Sequence, residues 1–308
     1  MPIRLGLVGL GKIARDQHLP AIAANSDFTL TATASRNDSG VEGVAHFKTL
    51  PELLANSPKL DAVALCMPPQ ARFELAQRAI AHGLHVFLEK PPGATVSEVE
   101  LLRAQAASKG VTLFASWHSR YATAVAPARE WLSKREIKRV SIVWREDVRV
   151  WHPGQAWIWE PGGFGVFDPG INALSIATHI LPQAFFLKHA TLEFPENRAA
   201  PIAAKLAFTD GLKTPIDMDL DWRQTGPQTW DITVETADGT ITLSRGGSVL
   251  TLPGAAPQTF KDEEYPNLYR RFAALIETSS SDADVRPLQL VADAFLLGKA
   301  ERVEAFED

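Results

Sequence analysis

Six residues, Gly9-Leu10-Gly11-Lys12-Ile13-Ala14, constrain this chain more than any other stretch. They come after an apolar run at 3–8 that reads as a strand, and they open a helical pattern at 12–24. The first glycine of such a G-x-G-x-x-A turn permits the sharp reversal. The second lets a pyrophosphate approach the backbone at the helix N-terminus, where free N–H groups and the helix dipole favour an anion. The small Ala14 lets the helix pack closely on its strand. Alone, the motif is only a tight strand–helix connection, and the elements after it give it meaning. Apolar runs at 28–34, 62–66, 85–88 and 112–115 alternate with helical segments at 50–55, 71–81 and 96–107. Thr95 and Glu98 form a capping box at the start of the last of these. Strands separated by helices are βαβ units, so the first 120 residues predict a doubly wound parallel sheet that binds a dinucleotide.

Beyond residue 120 the texture changes. A helix at 124–132 leads into an alternating strand at 138–145, then a loop rich in Trp, Pro and Gly at 151–164 and a helix from about 172 to 180. Strands follow at 191–194, 202–208, 216–222, 229–236, 240–244 and 249–252, with Asp238-Gly239 as a hairpin turn between two of them. Helices at 268–277 and 288–299 close the chain. The pattern is α/β overall: domain 1–120 takes the dinucleotide, and domain 121–308 is α+β with a mostly antiparallel sheet. A length of 308 residues fits two domains of roughly 150 each.

Charge narrows the function. Acids outnumber bases 36 to 31, for a net charge of -5, so no global positive field gathers phosphates and no nucleic-acid partner is expected. No run of about 18 apolar residues lacks a charge, which excludes a membrane span. The N-terminus carries Arg4, Lys12 and three glycines and is unlike a signal peptide. The lone Cys66 can form no internal disulfide, which fits a reducing compartment, and cytoplasm is the expected location. No His, Cys and Asp set has ligand spacing, so no metal is expected.

The end of the second strand selects the dinucleotide. An NAD site usually places an acid there for the ribose 2′-hydroxyl. Here Ser35-Arg36-Asn37 occupy the turn, with no acid before Asp38. Arg36 can pair with a 2′-phosphate and Ser35 can donate to it, so NADP is expected to serve at least as well as NAD.

Two clusters carry the chemistry. Glu89-Lys90-Pro91-Pro92 sits at the C-terminal edge of a parallel strand, where open α/β sheets bind ligands. Gly162-Gly163-Phe164-Gly165-Val166-Phe167-Asp168-Pro169-Gly170-Ile171-Asn172 is a turn that starts a helix. Asp168 is either a cap or a functional acid, and it shares a helix face with Asn172 if the helix includes both. With the glycine turn, these clusters resemble the Gfo/Idh/MocA family of oxidoreductases over essentially the whole length. Within it the chain is most similar to the bacterial L-arabinose/D-galactose 1-dehydrogenases, through Ser116-Trp117-His118-Ser119-Arg120 and the run from Trp151-His152-Pro153 to Ser175.

The resemblance implies a Rossmann domain followed by an α+β domain. It implies oxidation of an aldose (L-arabinose or D-galactose) at C1 to the lactone, with hydride passing to NADP or NAD. Gly9, Gly11, Lys12, Ile13, Ser35, Arg36, Pro68, Glu89 and Lys90 are the expected cofactor contacts. Lys90, Asp168 and Asn172 are the expected catalytic residues, and His118, Glu146 or Asp147, Trp151, His152 and Trp230 the expected sugar contacts. Many family members carry histidine where this chain has Asn172, and an amide is no general base near neutral pH. The proton therefore goes to Asp168, with Lys90 polarising the same oxygen, or to a neutral Lys90 partnered by Asp168. The strand residues Trp144 and Trp222 read as core. Alternatives are an L-fucose, D-xylose or inositol dehydrogenase, or a non-catalytic NADP-binding galactose-responsive regulator. A dimer or tetramer is expected from the resemblance alone.

Overall fold

The computed structural model describes residues 1–37 and 39–307; Asp38 and Asp308 lie outside the described residues, so the first acid after the second strand is not placed. The chain forms two compact units. The first comprises Met1–His118 and Glu263–Val285, and the second Ser119–Asp262 and Arg286–Asp308.

The first unit is built on six parallel strands: β1 (Ile3–Val8), β2 (Phe28–Ala34), β3 (Ala45–Phe47), β4 (Ala62–Leu65), β5 (His85–Glu89) and β6 (Leu113–Ser116). Their order is β3-β2-β1-β4-β5-β6, the doubly wound arrangement of a Rossmann fold. Leu5, Leu7, Val63, Leu65, Val86, Phe87, Leu88 and Leu113 are fully buried, because a parallel sheet covered on both faces leaves no wet side to its strands. The helix Val96–Lys109 begins at the Thr95/Glu98 capping box and stops at Gly110 in the left-handed region (φ 66).

The sequence boundary at 120 does not foresee that a later segment returns to this unit. The helix Glu264–Glu277 buries Tyr265, Leu268, Tyr269, Phe272 and Leu275, spaced along one face. Phe272 stacks on Phe28 and on Phe114, each at 5.9 Å, and Tyr269 stacks on Phe87 at 5.3 Å. Residues 281–284 then cap the β6 edge. The Asp282 C=O accepts from Ala115 N–H (2.9 Å) and its N–H donates to Leu113 C=O (3.0 Å), while Asp284 C=O accepts the Trp117 indole N–H (2.8 Å). An open edge strand is thereby closed.

The second unit holds a nine-stranded sheet made of β7 (Ile137–Arg145), β8 (Phe185–Pro195), β9 (Ala203–Asp210), β10 (Pro215–Asp221), β11 (Thr229–Thr236), β12 (Gly239–Ser244), β13 (Val249–Thr251), β14 (Gln258–Thr259) and β15 (Lys299–Val303). The order is β14-β13-β12-β11-β7-β10-β9-β8-β15. Only β7–β10 and β8–β15 pair in parallel among the described residues. Val140, Ile142 and Trp144 point to the core side of β7, and the unit's longer helices are Val125–Leu132, Phe167–Ile180 and Arg286–Leu297. The last helix ends at Leu297 and not at 299: Gly298 N–H still donates to Ala294 C=O (2.9 Å), in a conformation where a Cβ would lie 2.4 Å from that oxygen, and β15 begins at Lys299. Among the described residues no helix is long and apolar enough to cross a membrane.

Candidate active site

In the first unit, Gly9, Gly11, Ser35, Arg36 and Pro68 line one cleft of about 920 Å³. Gly9 takes φ +90, and a Cβ there would meet Met67 N at 3.0 Å, so the turn requires glycine. A Cβ on Gly11 would meet nothing within 4 Å, which leaves the backbone open to a pyrophosphate. The donors and room of this cleft fit a dinucleotide. Lys12 and Ile13 sit exposed on the first helical turn, where Lys12 pairs with Asp16, and neither lines the cleft.

Glu89, an expected cofactor contact, is a buried residue (4% exposed) whose carboxylate is held from inside. Tyr265 O–H donates to Oε1 (2.5 Å), His18 Nε2 lies 3.4 Å from the same oxygen, and Lys90 N–H donates to Oε2. His18 also meets Tyr269 O–H through Nδ1 (2.8 Å) and Cys66 Sγ through Nε2 (3.5 Å). Buried Arg72 donates to the carbonyls of Glu89, Pro91 and Met67. Burial works against charge on His18, but Cys66 and Glu89 outweigh it and hold the imidazolium up to about 9. Burial likewise opposes the Glu89 carboxylate, and His18, His118 and Tyr265 overcome it, bringing it down to about 2. Burial pulls the Arg72 guanidinium down to about 10.

The pH sign follows from these directions. The His18 contribution is fully present below the unfolded value of 6.5 and is lost as pH rises through about 9. The Glu89 contribution is present above 4.5 and lost as pH falls through about 2. His18→Asn is therefore expected to flatten the fall in melting temperature between pH 6.5 and 9, as measured by calorimetry. An unchanged slope would place that titration on another group.

His118, expected to touch sugar, belongs to the first unit, where its Nδ1 pairs with Glu264 Oε2 at 2.5 Å and its ring stacks on Tyr265 at 5.7 Å. Burial opposes its charge, while Glu264 and Glu89 favour it, and the net shift is upward.

The second unit gathers the other expected residues. The helix Phe167–Ile180 starts earlier than position 172, with Pro169 tolerated in its first turn, so Asp168 and Asn172 do share a face. Its entry is set by glycines: a Cβ on Gly163 would lie 2.4 Å from the carbonyl oxygens of Trp157 and Ile158. Gly165 takes φ +52, and a Cβ there would lie 2.3 Å from Pro201 C=O. A Cβ on Gly170 would strike Leu220 of β10 at 2.6 Å, so the helix packs directly on the sheet. Val166 occupies the cap position, and Asp168 lies inside the first turn. Its Oδ2 is 3.3 Å from His152 Nε2, with Asp168 buried and His152 nearly so. Asn172 is half-buried one turn further on.

Glu146, expected as a sugar contact, is 3% exposed and holds two indoles. Trp222 Nε1–H donates to Oε1 (3.2 Å) and Trp230 Nε1–H to Oε2 (2.9 Å). Trp222 and Trp144 are core, as their strand positions predict. Trp222 packs at 5.3 Å from the His152 ring, and exposed Trp151 lies 5.3 Å from Trp230. Asp147 instead pairs with Arg149 (2.8 Å) and caps the short helix Val148–Trp151. Among the described residues no group of three or more His, Cys, Asp or Glu could hold a metal ion.

Comparison with known proteins adds to this geometry. A family model for oxidoreductases with an NAD-binding Rossmann fold, GFO_IDH_MocA, matches residues 3–116. Galactose 1-dehydrogenase of Pseudomonas fluorescens is 48% identical over 309 residues, covering 100% of this chain and 99% of that protein. The crystal structure of D-galactose-1-dehydrogenase from Rhizobium etli matches with a TM-score of 0.94 at 57% identity, covering 99% of this chain and 98% of that one. A 3-ketoreductase from Actinomadura kijaniata, crystallised with TDP-benzene and NADP, shares the fold at 19% identity, with a TM-score of 0.86 and coverage of 98% and 100%.

Proposed function

The chain belongs to the Gfo/Idh/MocA family of oxidoreductases, and from that premise we propose that it oxidises D-galactose and L-arabinose at C1 to the aldonolactone, with NADP or NAD as acceptor. The observation that carries this reading is the buried Asp168 carboxylate, 3.3 Å from His152 and one helical turn before Asn172. It is a carboxylate able to accept a proton, at the residue to which the sequence reading assigns that role. Full-length identity to a galactose 1-dehydrogenase supports the sugar class.

The nicotinamide, when bound, supplies the acceptor for the hydride from C1. The chain does the rest. The Gly9–Gly11 turn holds the pyrophosphate at the helix N-terminus, and Ser35 and Arg36 take the 2′-phosphate of NADP. Asp168 removes the proton from the anomeric hydroxyl as the C1–H bond breaks, and the ring carbon becomes the lactone carbonyl. His152 orients the carboxylate and receives the proton onward. Lys90 stabilises negative charge developing on the same oxygen, and Asn172 hydrogen-bonds a substrate hydroxyl. A neutral Lys90 acting as base with Asp168 as its partner is the other assignment of the same groups. D-galactose and L-arabinose share ring configuration and differ by the hydroxymethyl at C5, so a pocket open at that edge, making no hydrogen bond to it, admits both. A dimer or tetramer, on family resemblance alone, and a cytoplasmic location, to which the lone Cys66 points, are part of this reading.

Initial rates of reduced-nicotinamide formation test it, with D-galactose, L-arabinose, D-xylose, L-fucose, D-glucose and myo-inositol, each with NAD and NADP. Turnover on the first two is expected, with NADP at least as effective, and Arg36→Ala should raise the KM for NADP about tenfold while sparing NAD. Unchanged discrimination in Arg36→Ala would remove the 2′-phosphate assignment. Turnover only on xylose or inositol would keep the hydride chemistry and discard the sugar. Silence on every sugar with cofactor still bound would favour a regulator.

A further inference from the structure

The loop that carries Lys90 is gripped by buried groups that the hydride chemistry does not use. Glu89 Oε2 accepts the Lys90 backbone N–H, so the lysine's own peptide is tied to the Glu89 carboxylate. That carboxylate is fixed by Tyr265 O–H at 2.5 Å and by His18 at 3.4 Å. Aromatic packing leaves these donors little freedom: the His18 ring meets Tyr265 at 4.9 Å, Phe87 at 5.4 Å and Tyr269 at 5.8 Å. Arg72, 2% exposed, donates to the carbonyls that flank Lys90, those of Glu89 and Pro91. A surface lysine at a strand end needs none of this. Burying a guanidinium, an imidazole and a carboxylate around one loop is costly unless each is hydrogen-bonded, and all three groups place bonds on residues 89–91.

We propose that Tyr265 is a positioning residue for Lys90. It acts through Glu89: its hydroxyl orients the carboxylate, the carboxylate holds the Lys90 peptide, and the peptide sets where the ammonium stands relative to the sugar oxygen. The proposal rests on the catalytic assignment of Lys90 made above. It also gives the return of the 263–285 segment to the first unit a function beyond burial, since Tyr265 lies 176 positions from Glu89 in the chain.

The test is a double-mutant cycle between Tyr265→Phe and Lys90→Met in the full-length protein. The phenylalanine keeps the ring contacts and removes only the hydroxyl. Tyr265→Phe is expected to lower kcat on D-galactose about ten- to hundredfold, with the dissociation constant for NADP, measured by fluorescence titration, within about twofold of wild type. The primary isotope effect with C1-deuterated sugar should rise, because a misplaced cation slows hydride transfer itself, whereas a mere loss of folded protein leaves the isotope effect where it was. Added to Lys90→Met, Tyr265→Phe should cost nothing further.

Three outcomes overturn the proposal, and they are distinguishable. A strongly impaired Lys90→Met beside a Tyr265→Phe with wild-type kcat sinks the positioning role and leaves the catalytic assignment standing. A fully multiplicative loss in the double variant shows that Tyr265 acts elsewhere. A Lys90→Met variant with wild-type kcat removes the assignment of Lys90 and the positioning role with it.

Discussion

Asp168→Asn is expected to lower kcat for D-galactose oxidation by about 10²–10⁴-fold, the range a placed general base contributes. The substitution keeps the shape but turns one acceptor oxygen into an NH₂ donor, and an amide at this position cannot take the proton. Binding of the dinucleotide should stay within about twofold, because the residues lining its cleft belong to the first unit. The competing view is that Asp168 is only a helix-start residue. The structure weakens it, since Val166 holds the cap position and Asp168 faces His152 at 3.3 Å. A carboxylate in the first turn still gains from the helix dipole, by about 0.3–1 kcal/mol, so a small drop in melting temperature is expected as well. Rates and calorimetry on the same preparation separate the two views. A near wild-type kcat with a lowered melting temperature would assign Asp168 to the helix and pass the base role to Lys90.

The parts of the fold that are legible in the sequence are those with a local cause. The glycine turn, the capping box at Thr95 and the hairpin near Asp238-Gly239 are each fixed by a few adjacent residues; the first two stand where expected, and the hairpin turns one residue earlier, at Ala237-Asp238, with Gly239 opening β12 opposite Thr236. The short strand Ala45–Phe47 escapes a sequence reading because three residues on the edge of a sheet leave no periodic signal. The helix beginning at Phe167 reads as starting later because Pro169 and Gly170 look like breakers. In place, the proline sits in the first turn and the glycine admits Leu220. The return of Glu264–Glu277 to the first unit has no sequence signal of its own. Its apolar stripe is visible, but a stripe does not name the surface that covers it.

The candidate site divides the same way. Residues tied to a motif, such as Gly9, Gly11, Ser35, Arg36 and Pro68, do line one cleft. Pairings across long sequence distances are not legible: His152 with Asp168, His118 with Glu264, Tyr265 with Glu89. His18 is the exception that does carry a signal. It follows Ala14 by four residues and precedes Ala21 and Ile22 by three and four, so it lies on the buried face of its helix. A histidine on a buried face needs a partner, and Glu89 beside the conspicuous lysine is a natural one.

Glu146→Ala is expected to destabilise the second unit by about 1–3 kcal/mol. The buried Trp222 indole N–H loses its acceptor, at about 1–3 kcal/mol, while the half-buried Trp230 N–H can turn to water and adds less. A sugar contact would behave differently: its loss would raise KM and leave the melting temperature alone. Burial favours the structural role, since Glu146 is 3% exposed and both its carboxylate oxygens accept from indoles. The consequence reaches the chemistry through Trp222, which packs on the His152 ring at 5.3 Å, while His152 in turn faces Asp168. Glu146→Gln sharpens the comparison. Its amide oxygen still accepts from one indole, but its NH₂ meets the other donor head-on, so about half of the destabilisation should remain. Urea unfolding followed by tryptophan fluorescence measures both variants, with kcat and KM taken below the transition. A raised KM at unchanged midpoint in Glu146→Gln would return Glu146 to the sugar pocket.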